Sequence, residues 1–211
     1  TKNQACSNRL ETVAEIAGLC PSRLAEEIIV IGSVARGLAD DNSDIELIFV
    51  TEDETTETER LAWLKEIGAS DVQHYCGPLS ERSSWLIFRY QKYWFEAGWR
   101  QKSSIAAEIE QILTAQVCTH ERLLLASTLQ QATAVNGSGF LRECQARLQE
   151  YPQAVQDAVI ASALSPWTKD LGLQVRRVLA ARDDRIPLLE RIIADMHRVL
   201  RLLFAINRQW E

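Results

Sequence analysis

The sequence lacks long hydrophobic runs and lacks an excess of positive charge. No apolar run approaches the roughly 18 residues of a transmembrane helix, and the first residues do not show the basic-then-apolar pattern of a signal sequence. Lys and Arg number 23 against 29 Asp and Glu, for a formal net charge of -6. Binding to nucleic-acid phosphates depends on clustered Lys and Arg. The composition therefore disfavours membrane and nucleic-acid partners and favours a neutral or cationic substrate.

Paired cysteine motifs are missing as well. Five cysteines are scattered along the chain, with no C-x-x-C pair and no histidine at zinc spacing: Cys6, Cys20, Cys76, Cys118 and Cys144. Such a pattern is typical of reduced thiols, so we expect a cytoplasmic location. The three histidines, His74, His120 and His197, are far apart in the sequence and are expected to be structural or exposed.

The chain does contain enough apolar residues for a full core, since 46% of its 211 residues are hydrophobic. In the first half, apolar periodicity predicts helices at residues 8–19 and 57–67, and β-branched or aromatic runs predict strands. The predicted strands are residues 28–31, 45–50, 70–77, 84–91 and 92–100, the last two forming a hairpin.

Helical periodicity dominates after residue 103. Residues 134–139 and 183–187 are predicted to be turns between helices, because they are rich in Gly, Asn, Ser, Asp and Pro. The expected fold class is α+β, with a mixed β-sheet domain at residues 1–115. An all-helical domain at 116–211 would follow. The last residues, "LLFAINRQWE", lack a helix stop signal, as expected for a domain truncated at its C-terminus.

Two acidic residues stand at the start of the second apolar strand. On a strand, side chains two residues apart lie on one face with Cα atoms about 6.5 to 7 Å apart, so Asp44 and Glu46 share a face. Ile45 and Leu47 point to the other face, towards the core. Two adjacent carboxylates repel each other unless a cation is present. Mg²⁺ prefers carboxylate oxygens and keeps positions for water and phosphate, so the pair suits a metal–triphosphate site.

The segment "GSVARG" separates these acids from the first strand. Gly32 has no Cβ and lets a ligand approach the backbone, whose N–H groups can face an anion. Ser33 adds a hydroxyl donor, and Arg36 could supply positive charge to a phosphate. An ion pair between Arg36 and an acid such as Asp40 is an equally good interpretation, because surface ion pairs are common.

"IGSVARGLADDNSDIEL" resembles the signature of the nucleotidyltransferase superfamily that shares the DNA polymerase β core. Gly32 and Ser33 are followed by ten residues and then by Asp44, Ile45, Glu46 and Leu47. The sequence is most similar to bacterial small-molecule nucleotidyltransferases, including adenylyltransferases that modify aminoglycosides, and to minimal nucleotidyltransferases. Many of the latter read "GSxARG…SDID". This chain has Val34 where Arg is frequent and Glu46 where Asp is frequent.

The resemblance implies a third carboxylate on a later strand. Glu96, in "YWFEAGW", is the first candidate, and Asp71 is the second. A solvent-facing position is nearly as good an interpretation for Glu96. If the strand that carries Glu96 pairs with residues 44–50, the three acids meet.

The resemblance also implies the reaction and the roles of these residues. A nucleoside monophosphate, most simply AMP from ATP, would move to a hydroxyl of a small-molecule acceptor, with release of pyrophosphate. Asp44, Glu46 and Glu96 would bind two Mg²⁺ ions and carry catalysis. Gly32, Ser33 and Arg36 would position the triphosphate. Residues 1–115 would be the nucleotidyltransferase catalytic domain, and 116–211 a helical substrate-binding domain.

Other classes of function stay open on the sequence alone. Relatives of the antitoxin type modify a protein or an RNA, and a degenerate fold could bind nucleotide or partners without turnover; a homo-oligomer is compatible with both. In the helical half, residues 151–160 and 202–210 resemble the C-terminal domains of the same bacterial enzymes. Arg191 and His197 have the R-x5-H spacing that resembles a motif of helical RNase domains, and a chance pair is the simpler interpretation.

Tryptophans and helix acids have simpler interpretations. Most of the six tryptophans are expected in the core or at interfaces, with Trp99 as a candidate cleft wall near Glu96. Glu108 and Glu110 are expected on a solvated helix face, with acceptor binding as the alternative.

Overall fold

The computed structural model describes residues 4–74, 84–168 and 171–211. The chain folds as two compact units. The first comprises Thr1–Ile109 and Ser127–Gln149, and the second comprises Glu110–Ala126 and Glu150–Glu211. The predicted division into domains at residues 1–115 and 116–211 concerns folding domains, which these units do not test, so it stays a prediction.

A six-stranded mixed sheet forms the first unit, in the order β3-β4-β5-β2-β1-β6. Its strands are β1 Glu27–Ile31, β2 Ile45–Thr51, β3 Ser70–His74, β4 Ser84–Tyr90, β5 Tyr93–Gln101 and β6 Thr133–Asn136. Strands β2 and β5 run parallel, and the other neighbours are antiparallel. The predicted α+β fold class and the predicted β4–β5 hairpin are confirmed. The end of the predicted strand at 75–77 lies outside the described residues.

The first unit also contains the helices α1 Gln4–Leu19, α2 Gly32–Arg36, α3 Glu57–Glu66 and α6 Phe140–Arg147. Helices α4 Lys102–Leu113 and α5 His120–Gln131 each have residues in both units. Helix α3 begins at a capping box, in which the Thr56 hydroxyl accepts from the Glu59 N–H and the Glu59 carboxylate accepts from the Thr56 N–H. The rings of Phe49 and Trp99 stack 4.5 Å apart, across the parallel strand pair. Trp63 of α3 packs edge-on against both rings, so this cluster fixes α3 on the two central strands.

The prediction of a turn between helices at residues 134–139 was wrong in its first half. Strand β6, Thr133–Asn136, pairs antiparallel with β1 and forms an edge of the sheet. The Asn136 amide oxygen also accepts from the Ile28 N–H at 3.0 Å. A four-residue strand whose partner lies more than a hundred residues away leaves little local signal. Through this pairing, Ser127–Gln149 belongs to the first unit.

Glu27 anchors helix α6 to the sheet. Its side chain is fully buried on β1, and its carboxylate accepts from the backbone N–H groups of Gly139, Phe140 and Leu141 at 2.8 to 2.9 Å. The Ser138 hydroxyl donates to the same group at 3.2 Å. A buried charge is tolerated when hydrogen bonds replace its water. Here the carboxylate satisfies N–H groups that the start of a helix leaves unpaired.

The second unit is helical, with α7 Gln153–Thr168, α8 Leu171–Ala181 and α9 Arg185–Ile206. Within it, the Gln156 amide donates to the Ala205 carbonyl oxygen at 2.8 Å, and the rings of Tyr151 and Trp210 pack 4.5 Å apart. Helix α9 exposes a row of large apolar side chains, among them Ile186, Leu189, Ile193, Met196, Leu200 and Leu203. Within the described ranges, every helix is too short or too polar to cross a bilayer.

We expect Glu27→Gln to lower the free energy of unfolding by roughly 1–3 kcal/mol, because an amide offers one acceptor oxygen to four donors and turns its own N–H groups towards them. Urea unfolding followed by tryptophan fluorescence measures the change. Glu26→Gln is the matched control, since Glu26 is exposed and only pairs with Lys102 at the surface. Equal effects of the two substitutions would contradict this role of Glu27.

Candidate functional site

The parallel pairing of β2 and β5 brings Glu46 directly opposite Glu96. Asp44 precedes β2 by one residue, so the sheet gathers the three acids that the sequence singles out. Ile45 and Leu47 are fully buried, whereas Glu46 between them is half-buried. The predicted alternation is therefore observed at the first residues of β2, whereas Ile48 and Val50, further along the face of Glu46, are buried as well. The metal-binding and catalytic roles of the acids stay predictions.

Gly32, the first residue of α2, makes room for the Glu46 carboxylate. Its φ is +65°, in the left-handed region that favours glycine, and a Cβ at this position would overlap Glu46 Oε2. Ile31, the residue before it, pairs with Glu46 across β1 and β2. The Glu46 carboxylate thus occupies the space that any other residue at position 32 would fill.

The predicted loop after β1 starts as a short helix. Helix α2 follows β1 without a break, and Gly37 ends it in the left-handed conformation, with its N–H bonded to the carbonyl oxygens of Ser33 and Val34. This helical turn buries the apolar residues Val34 and Ala35. The prediction of a loop here rested on the Gly and Ser residues of the segment and did not include a helix. Ser33 lies in the first turn, one residue from the Glu46 contact.

Arg36 is exposed and donates from Nε to the Gly32 carbonyl oxygen at 3.2 Å. Its charge acts on Glu46, where it opposes a rise in the pKa. The Asp40 carboxylate instead accepts from the Asn42 N–H and the Ser43 hydroxyl, within its own turn. In the described part of the chain, Arg36 and Asp40 are engaged with these other groups and do not form an ion pair with each other. The phosphate role of Gly32, Ser33 and Arg36 stays a prediction.

Electrostatic repulsion links the three acids. Burial raises the pKa of Glu46, and the charges of Asp44 and Glu96 raise it further. Burial, and then the charge of Asp44, also raise the pKa of Glu96. The folded chain therefore holds these protons more tightly than the unfolded chain. Ionising Glu46 and Glu96 therefore destabilises the folded chain. This loss of stability begins as the pH rises above the pKa of the unfolded chain and is complete above the raised pKa of the folded chain. A bound cation would remove it.

Asp44 and Glu96 face a cavity of about 590 Å³ within the first unit. Its walls also contain Arg9, Asp41, Asn42, Ser43, Ile87, Lys92, Tyr93, Trp94 and Phe95. Trp94 is 44% exposed and forms part of the wall. Trp99, the predicted cleft wall, is instead buried against Phe49, because the strand alternation turns it to the core face.

The set of donors suits Mg²⁺, a hard ion that prefers carboxylate oxygens. In the structure as described, no three His, Cys, Asp or Glu side chains are grouped closely enough to form a ready metal site. Asp44 and Glu96 share the cavity, and Glu46 lies next to Gly32. Burial, followed by the charges of neighbouring acids, raises the pKa of Glu46 and that of Glu96. These carboxylates are of the ligand type that the ion prefers, so the residues present fit Mg²⁺.

The other candidate residues are not among those that line the cavity. Asp71 is exposed on the edge strand β3, which β4 separates from β5, so the structure does not bring it to Glu46. Glu108 forms a largely buried ion pair with Arg100 at 2.7 Å, whereas Glu110 is exposed. His74 and His120 pair with Glu57 and Glu211, and Arg191 and His197 are exposed on α9.

Sequence reasoning missed Arg9. This residue of α1 is 3% exposed, lines the cavity, and donates to the backbone just before Asp44. An arginine among the polar residues of an amphipathic helix looks like a surface residue. Its partners are 32 and 34 residues further along the chain, beyond the reach of local pattern analysis.

We expect Gly32→Ala to destabilise the first unit and to displace the Glu46 carboxylate, because the new methyl group meets it and φ is unfavourable. Gly18→Ala is the matched control, since Gly18 lies in α1 with nothing within 4 Å of an added Cβ. That change should be neutral or stabilising by about 1 kcal/mol. Thermal unfolding and the crystal structures of both variants measure the difference; an unmoved Glu46 in Gly32→Ala would contradict the expected clash.

Comparison with known protein families gives two matches. A family model described as a nucleotidyltransferase domain matches residues 13–129, which is more than half of the chain. A second model, a domain of unknown function (DUF4037), matches residues 117–211. A search of curated proteins found no significant match.

Among solved structures, the chain is similar to a nucleotidyltransferase-like protein from Exiguobacterium sibiricum. The two are 13% identical with a TM-score of 0.39, over 97% of this chain and 57% of that protein. It is also similar to the Cid1 poly(U) polymerase in a structure with MgGTP, with 14% identity and a TM-score of 0.37 over 61% of this chain and 43% of the polymerase. The chain thus spans about half the length of these structures.

The nucleotidyltransferase model covers Gly32, Ser33, Asp44, Glu46 and Glu96, the residues that the fold brings together. The match extends over more than half of the sequence. The chain therefore belongs to the nucleotidyltransferase domain family.

Proposed function

We propose that the chain transfers a nucleoside monophosphate, AMP from ATP, to a hydroxyl group of a small cytoplasmic molecule and releases pyrophosphate. The observation that supports this most strongly is the placement of Glu46 opposite Glu96, with Asp44 one residue before β2. Three carboxylates at adjacent positions of one sheet are unfavourable without a cation. A triphosphate that carries Mg²⁺ supplies both the cation and the group to be transferred.

Asp44 and Glu96 would hold Mg²⁺ at the cavity, and Glu46 would complete the ligand set for one or two ions. When bound, the metal would neutralise the carboxylates and stabilise the charge of the phosphate oxygens. The backbone N–H groups of Gly32 and Ser33 would bind the phosphates, the Ser33 hydroxyl would add a donor, and Arg36 would contribute positive charge.

The bonds of the reaction balance as follows. The acceptor oxygen forms a bond to the α-phosphorus, the bond from that phosphorus to the bridging oxygen breaks, and pyrophosphate leaves. The proton of the acceptor hydroxyl needs a base. Glu96 is suited to receive it at a carboxylate oxygen, because it lines the cavity and its pKa is raised by burial and by Asp44.

The cavity itself supports a small acceptor. Its volume of about 590 Å³ lies within the range of small-molecule sites, roughly 300–1,000 Å³. Three acids line it against two cations, and one of those cations, Arg9, is engaged with backbone carbonyl groups. The exposed face of Trp94 adds an apolar wall. A cationic acceptor with hydroxyl groups, such as an aminosugar, matches this lining.

A nucleotide-binding module without turnover is the second candidate. One observation favours it: over the part of the chain that the structure describes, the three acids do not form a ready three-ligand metal group. Such a module would still bind a triphosphate with Mg²⁺, but would not release pyrophosphate with any acceptor.

We expect Asp44→Ala and Glu96→Ala each to weaken Mg²⁺-dependent binding of ATP by about 10-fold or more, because each removes a carboxylate that faces the cavity. Isothermal titration calorimetry with ATP, GTP, CTP and UTP, with and without Mg²⁺, measures the affinities. Asp71→Ala is the matched control and should bind like the parent chain, because Asp71 is exposed on the edge strand.

Two results would count against this assignment. If the parent chain bound none of the triphosphates in the presence of Mg²⁺, the enzyme and the binding-module proposals would both fail. If Asp71→Ala weakened binding and Glu96→Ala did not, the third carboxylate would be assigned to the wrong residue.

A further inference from the structure

Arg9 of α1 holds the peptide group that leads into Asp44. Its Nε and one terminal nitrogen donate to the Ser43 carbonyl oxygen at 3.0 and 2.7 Å. That oxygen belongs to the peptide bond between Ser43 and Asp44. The guanidinium group therefore holds the orientation of the peptide plane that precedes Asp44. The same terminal nitrogen also donates to the Asp41 carbonyl oxygen at 3.2 Å.

The rest of the guanidinium group is also engaged. Its second terminal nitrogen donates to the Ala5 carbonyl oxygen of α1 at 3.1 Å, which anchors the side chain to its own helix. Arg9 is 3% exposed, so these bonds form almost without competition from water. A planar fork with several donors can hold several carbonyl groups at once, which a lysine ammonium group cannot reproduce.

Arg9 also contacts the strand that carries Glu96. Its Cζ lies 4.9 Å from the ring centre of Tyr93, the first residue of β5 and three residues before Glu96. A cation over an aromatic ring is attractive, more strongly where water is excluded. One side chain thus joins the loop before Asp44 to the start of the strand of Glu96.

We propose that Arg9 is a positioning residue that sets the separation of the Asp44 and Glu96 carboxylates across the cavity. This inference rests on the proposed function only for the identity of the ligand, because the contacts themselves are properties of the chain. The turn at residues 40–43 is closed internally by two hydrogen bonds between Asp40 and Ser43, so it forms one local unit. Arg9 attaches that unit to α1 at the Asp41 and Ser43 carbonyl groups, next to Asp44. On its other side Asp44 is followed directly by Ile45, which pairs with Phe95 of β5, so Arg9 and this pairing together set the position of Asp44.

The test compares Arg9→Lys with Arg60→Lys in the full chain. Arg60 is a matched buried arginine, 5% exposed, which donates to the Thr55 hydroxyl and carbonyl groups and lies over the Trp99 ring. It is absent from the walls of the cavity. Both substitutions keep a positive charge and remove a buried fork, so a purely structural effect should be similar in the two variants.

Two measurements are made on the parent chain and on both variants: amide hydrogen exchange, and the affinity for Mn²⁺ alone by titration calorimetry. In Arg9→Lys we expect faster exchange at residues 41–44 and an affinity for Mn²⁺ about 10-fold lower, because groups that orient the ligands of a metal tune its affinity by that order. In Arg60→Lys, exchange at 41–44 and the affinity for Mn²⁺ should match those of the parent chain.

The outcomes separate this inference from the proposed function. Unchanged exchange at residues 41–44 in Arg9→Lys would overturn the positioning role, and so would equal losses of Mn²⁺ affinity in the two variants. A parent chain that binds Mn²⁺ but neither binds nor transfers a nucleotide would overturn the proposed function. In that case, a selective loss of Mn²⁺ affinity in Arg9→Lys would still support the role of Arg9.

Discussion

Repulsion between carboxylates on adjacent central strands is the constraint on which the rest of the structure depends. Strands β2 and β5 run parallel in a register that sets Glu46 against Glu96, and like charges directly opposite each other destabilise a sheet. Asp44 adds a third charge at the same end, and the pKa values of Glu46 and Glu96 are both raised. A fold that keeps this arrangement needs strong support elsewhere, and it would gain stability if a cation bound to the acids.

That support is distributed around the strand pair. The stacked rings of Phe49 and Trp99 hold β2 and β5 in register three residues beyond the acids. Gly32 leaves room for the Glu46 carboxylate. On the other side of β1, the buried carboxylate of Glu27 fixes the start of α6 and the strand before it. Apolar stacking, close packing and hydrogen bonds thus stabilise the sheet around the acids. These contacts persist when Asp44, Glu46 and Glu96 are ionised.

The sequence was sufficient for the parts of the site that depend on local pattern. The period of two places Asp44 and Glu46 on one face, and the spacing from Gly32 made the family recognisable. Glu96 could be identified as a candidate, but its position beside Glu46 could not be derived. That position depends on the pairing of two strands that lie about fifty residues apart in the sequence. Arg9 was out of reach for the same reason. Strand β6 was missed because four residues carry too little periodicity, and its pairing with β1 is a tertiary effect.

If the three carboxylates form a cation site for a triphosphate, a bound metal must lie among them. Diffraction at the manganese absorption edge, on crystals of the chain with Mn²⁺ and a non-hydrolysable ATP analogue, tests this most directly. We predict an anomalous peak between the carboxylates of Asp44 and Glu96, with the phosphates of the analogue over Gly32 and Ser33. A bound analogue whose manganese lies away from all three acids would contradict the proposed site.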